Sequence, residues 1–139
     1  MKIFIPTVLL ALFMSGCFSD NAPKCSNEDV QDTVKQVYTN ILDNAQNSNN
    51  LFLAGFTKSL PKAMVELSSF RAVAYDETVK LRSCKAEALF DTDQTMEISY
   101  TVQLDEQDSD QFYVELDTAF METLMQQSIM QEVFNKNKK

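Results

Sequence analysis

Any chemistry in this 139-residue chain has to come from carboxylates or sulfur: it holds 20 Asp and Glu, three cysteines and no histidine. Without histidine there is no Ser-His-Asp or Cys-His arrangement and none of the usual zinc sites. Two carboxylates alone can cleave glycosides, provided the surroundings raise the pKa of one of them. The acids here fall in expected turns and on wet faces, where nothing raises a pKa. Only two glycines occur, so no phosphate-cradling loop is possible. The expectation is a protein that is not an enzyme and carries no cofactor.

Six carboxylates do gather in two short stretches. Asp76 and Glu77 fall in one expected turn; Asp105, Glu106, Asp108 and Asp110 fall in another. In a four-strand meander these two turns lie at the same end, making one acidic rim that would attract a cation or a basic partner. The spacing around Asp108 resembles a calcium loop only superficially, with no glycine at the turn and no bidentate glutamate at the right distance. Aspartate closing hairpin turns by local hydrogen bonds explains the same residues more simply. No metal site is expected.

The cysteines divide by context. Cys17 closes the stretch MKIFIPTVLLALFMSGC, with one charge at Lys2, an uncharged run from Ile3 to Met14, and small Ser15 and Gly16 before the cysteine. That run is too short and too asymmetrically flanked for a membrane span and reads as a cleaved secretion signal. The ending Met14-Ser15-Gly16-Cys17 resembles the lipobox of bacterial lipoproteins, in which most members carry Leu at the Met14 position. The resemblance covers residues 1–17 and implies cleavage before Cys17, lipid on its sulfur and attachment to the cell envelope. In enteric members an aspartate after the lipidated cysteine favours inner-membrane retention; Phe18 stands there, which points to the outer membrane, facing the periplasm. With Cys17 taken by lipid, Cys25 and Cys84 remain as an even pair in an oxidising compartment, where a bridge is expected.

Charge bounds the partners. The full chain carries −8, and loss of Lys2 with the signal makes it one unit more acidic. Such a balance excludes the basic footprint that nucleic acid demands. The organisation expected is a signal peptide over 1–16, a lipidated cysteine and polar tether over 17–24, and a single domain over 25–139.

These groups have to be positioned by a helix followed by strands. From Ser26 to Ala45, Val30, Val34, Val37, Tyr38, Ile41 and Leu42 recur at helical spacing, with polar residues between them. Ser26 is the expected N-cap, with Asp29 three residues on. Leu51, Phe52, Leu53 and Phe56 suggest a short helix, and Pro61 a second one through Leu67, together plugging an edge of the core. From residue 68 the period shifts to two, predicting strands over 69–75, 79–90, 95–104 and 111–116.

Setting Phe90 opposite Met96 aligns Ala88 with Ile98, Ala86 with Tyr100 and Cys84 with Val102, and any odd shift would bury the wrong faces. Cys84 then points into the layer that holds the helix, while Cys25 stands at the helix N-terminus. One covered and one wet sheet face predict a two-layer antiparallel α+β domain: a long N-terminal helix on a four-stranded meander, with a C-terminal helix. In outline this resembles the cystatin-like and nuclear-transport-factor-like groups, with none of their motifs present.

The last helix, over 118–135 and capped by Asp117, is unusual. Phe120, Met121, Leu124 and Met125 cover one side, whereas Ile129, Met130, Val133 and Phe134 lie mostly on the other. A single sheet cannot bury both, so either the helix breaks near Ser128 or its second half meets a protein partner or a second copy. The function expected is therefore a membrane-anchored, non-enzymatic binding protein: an inhibitor, an immunity factor or an accessory subunit of an envelope assembly. The alternative is a small-ligand carrier with a pocket between the sheet and the helices. A filled core beside an exposed apolar helix favours the first, and a roomy apolar cavity the second.

Overall fold

The computed structural model describes residues 21–138. Helix α1 (Glu28–Gln46) and short helix α2 (Leu51–Thr57) precede strands β1 (Met64–Asp76), β2 (Leu81–Phe90), β3 (Thr95–Leu104) and β4 (Phe112–Leu116), and α3 (Ala119–Lys136) follows. The strands form one antiparallel sheet in the order β1-β2-β3-β4. This is the expected α+β architecture.

Helix α1 starts one residue later than expected. Asn27 is the N-cap, and its Oδ1 accepts hydrogen bonds from the backbone N–H groups of Asp29 and Val30. Asn caps as well as Ser does, and Asn27 leaves Glu28 and Asp29 in the first turn, where the helix dipole favours negative charge. Val30, Val34, Tyr38 and Leu42, spaced four apart, are the buried stripe. It meets Cys84, Ala86, Ala88 and Phe90 of β2 and Ile98, Tyr100 and Val102 of β3. Tyr38, Phe90 and Phe120 close one end of this cluster, with ring centroids 5.4–6.2 Å apart.

Two expectations are corrected. The stretch after Pro61 is not a helix: Met64 already pairs with Phe90, and β1 runs on to Asp76. Its buried residues Met64 and Leu67 and half-buried Phe70 are three apart, the spacing of a helix face. The cause is a bulged strand. Register shifts between Met64 and Glu66, Ser68 and Arg71, and Ala72 and Ala74 each insert one extra residue, turning a period of two into three.

The second correction is the β2–β3 register. Ala88 pairs with Met96, Ala86 with Ile98 and Cys84 with Tyr100, two residues from the expected alignment. The faces are right and the partners are not. The hairpin closes through a tighter loop, in which Phe90 N–H donates to Gln94 O and Asp93 N–H to Phe90 O. Asp93 takes a left-handed φ of 64°, which the short Asp side chain tolerates.

Candidate functional site

The candidate groups fall in three places: the end where residues 21–25 meet the sheet, the wet face of the sheet, and the end where α2 and α3 project. At the tether end Cys25 and Cys84 stand with Cα atoms 5.7 Å apart, joined in disulfide geometry. The Tyr100 hydroxyl, beside them, donates to the Cys25 carbonyl.

The residues just before Cys25 are bound to the domain. Arg82 donates through Nε to Pro23 O at 3.0 Å and through a terminal nitrogen to Ala22 O at 3.1 Å, while its guanidinium lies 4.7 Å from the centre of the Tyr75 ring. The Tyr75 hydroxyl donates to Asn21 Oδ1, and Ala22 is buried. The signal was present in the sequence: Arg82 shares the inward phase of Cys84, and an inward arginine at a sheet end needs acceptors. Cys17 and the stretch that resembles a lipobox lie outside the described residues.

The two acidic turns do share one end. Leu104 N–H donates to Lys80 O, and Gln103 Nε2 to Val79 O. Three of their six carboxylates are occupied locally. Asp76 Oδ1 accepts from Thr78 and Val79 N–H; Asp105 Oδ1 accepts from Gln107 and Asp108 N–H; Asp108 Oδ1 accepts from Asp110 N–H. The Tyr113 hydroxyl on Oδ2, with those two backbone donors, holds the Asp105 carboxyl below its usual range, and Asp105 in turn raises Tyr113. Glu77 and Glu106 are exposed. Among the described residues no group of three or more Cys, Asp or Glu is placed to hold a metal ion.

On the wet face Glu97 receives Lys85 at 3.2 Å and the guanidinium of Arg71, which together hold its carboxyl below the usual range, Lys85 most strongly. An open cleft of about 500 Å³ next to them is floored by Ser83, Ser99 and Thr101, with Lys85 and Glu115 beside it. Between sheet and helices the buried side chains pack as one cluster among the described residues.

Helix α3 does not break at Ser128; it is continuous from Ala119 to Lys136. Phe120 and Leu124 are buried, and Met121 and Met125 pack against the core. Ser128 Oγ donates to Leu124 O. Beyond Ser128 every described residue is exposed. Ile129, Met130 and Val133 are about half exposed, at 45, 56 and 50%, and Phe134 reaches 63%. Gln94 Nε2 donates to Gln127 Oε1, so the helix passes the β2–β3 turn at that point and its last turns project past the sheet.

The expectation that the apolar cluster from Leu51 to Phe56 plugs an edge of the core is corrected, because its first residues form a second exposed group. Asn50 caps α2, and that helix leaves Leu51 and Phe52 almost wholly in water. The chain then returns to the same sheet end, where Pro61 O accepts from the Tyr38 hydroxyl and Lys62 N–H donates to Asp91 Oδ1. A short apolar cluster looks the same in sequence whether it plugs a core or faces solvent. No protein-family model matches the chain, and neither the curated proteins nor the solved structures compared with it give a match.

Proposed function

We propose that this chain is a bacterial envelope lipoprotein, lipid-anchored through Cys17, that acts as a non-enzymatic binding protein through the projecting half of α3. The observation that carries this reading is the uninterrupted helix whose first half fills the core while Ile129, Met130, Val133 and Phe134 stand in water. Burying one such side chain is worth about 1.5–3 kcal/mol. Four left exposed in consecutive turns favour contact with something beyond the domain. A core whose buried side chains pack as one cluster favours the binder over the carrier. The roles that suit such a surface are those of an inhibitor, an immunity factor or an accessory subunit.

The anchor reading is supported by the resemblance of residues 1–17 to a lipobox and by the bound tether, which fits an oxidised Cys25–Cys84 pair in an exported protein. The outer membrane is the location proposed. Metabolic labelling with a fatty-acid probe is expected to mark the wild type and not Cys17→Ser; persistent labelling in the variant overturns the anchor. Replacing Met130 and Phe134 with Gln is expected to leave the melting temperature nearly unchanged while the protein leaves the larger complex recovered from solubilised envelope. A large loss of stability assigns those side chains to the domain's own core and overturns the binding reading.

A further inference from the structure

The exposed apolar residues of α2 and of α3 project from one end of the molecule, and the tether leaves from the other. Gln127 against Gln94, and Lys62 against Asp91, fix the first end at the β2–β3 turn. Asn21 and Ala22 against Tyr75 fix the second at the β1–β2 turn. The ten residues of β2 separate the two ends by about 30 Å.

We propose that the tether-distal end is a self-association surface whose occupant is a second copy of this chain. The inference rests on reading the projecting half of α3 as a contact surface, and it names the partner. Leu51 and Phe52 with Ile129, Met130, Val133 and Phe134 expose on the order of 700 Å², close to the roughly 800 Å² that each side of a standard interface contributes. The four α3 residues occupy one broad face of two successive turns, and an apolar face is complementary to its own copy about a two-fold axis.

Charge is compatible with that occupant. The projecting half of α3 carries only Glu132 and Lys136, with Lys138 just beyond. Exposed Asp91 and Asp93 of the β2–β3 turn lie at this same end, with Lys58 and Lys62 also exposed, so the distal surface carries both signs. The acidic turns after β1 and β3 lie at the tether end, several Debye lengths of about 8 Å away. Two copies meeting at their distal ends therefore keep those carboxylates apart, although each chain has a net charge of −8.

The test is photo-crosslinking in the envelope of cells expressing two differently tagged copies of the full chain. The crosslinker replaces Leu51 or Met130, with Val73 on the outer sheet face as control. The expected result is an adduct carrying both tags from positions 51 and 130 and none from 73. Met130→Gln with Phe134→Gln is expected to reduce the position-51 adduct at least tenfold. An adduct with a different envelope protein, and none carrying both tags, overturns self-association and leaves the α3 contact standing. Lipid adducts alone, or no adduct at either position, overturn both. Should the double variant fail to fold, the two-tag adduct from position 51 in the otherwise unchanged chain still decides.

Discussion

The Tyr100 hydroxyl donates to the Cys25 carbonyl oxygen across 2.7 Å, tying the centre of β3 to the residue that leads into α1. Tyr100 is buried, and the bond crosses 75 positions of sequence beside the sulfur bridge. Removing the donor strands a carbonyl in a site that water does not reach. Tyr100→Phe is expected to cost about 1–3 kcal/mol, read as a lower midpoint in urea unfolding.

The same residue sets a pH limit. Burial pushes the Tyr100 hydroxyl from 10.0 up to about 12, and burial with the nearby Asp91 raises Tyr38 as well. The unfolded chain ionises these groups near pH 10 and the folded chain does not, so above pH 10 the unfolded state binds fewer protons. Their contribution to stability is complete below pH 10 and is lost as pH rises towards 12. Denaturation at stepped pH should show this decline, with a smaller slope in Tyr100→Phe; an equal slope would remove Tyr100 as its source.

Joining Cys25 to Cys84 closes a loop with a separation of 59 residues. The chain-entropy model assigns such a bridge about 4 kcal/mol. The paired change Cys25→Ser with Cys84→Ser should lower unfolding free energy by roughly that amount. Thiol counting on exported, denatured, unreduced Cys17→Ser protein should find no free sulfur. Two reactive thiols would show that the bridge does not form.

Arg82→Ala is expected to free the segment before Cys25. Hydrogen exchange at the amides of Ala22, Lys24 and Cys25 should rise markedly while the sheet keeps its protection. Lysine should not restore it, because a single ammonium cannot donate through a planar fork to Pro23 O and Ala22 O together. Protection that survives in the alanine variant would mean that the segment is held by other contacts.

The two halves of α3 should respond in opposite ways to truncation. Leu124 is 0% exposed, and Leu124→Ala is expected to cost about 2–5 kcal/mol. In dilute solution Phe134→Ala should change stability by less than about 0.5 kcal/mol. Comparable losses at both positions would contradict the projection of the second half.

Much of the fold was legible because two periodicities were clean. Val30, Val34, Tyr38 and Leu42 marked α1, and the alternation from Thr95 to Leu104 marked β3 to the residue. The β2–β3 register was legible only to its face: an even shift costs no inside-out error, and the choice fell to the left-handed turn at Asp93. The first part of β1 was hidden because its bulges imitate a helical period. At the candidate surface, the change of face after Ser128 was readable from α3 itself. The joining of α2 to the same end depends on how Pro61 and Lys62 return to the β2–β3 turn, and no local pattern encodes that return.

The bulges in β1 also bear on pairing at the sheet edge that this strand forms. Thirteen residues make it a long outermost strand, and Val65 and Val73 are exposed along it. A straight, flat strand of that kind would template the addition of further chains and seed fibrils. Three inserted residues throw its outward N–H and C=O groups out of step, so an incoming straight strand meets only short stretches of matched donors and acceptors. The irregularity that disguises β1 as a helix in the sequence thus works against edge-to-edge addition of strands to the folded protein.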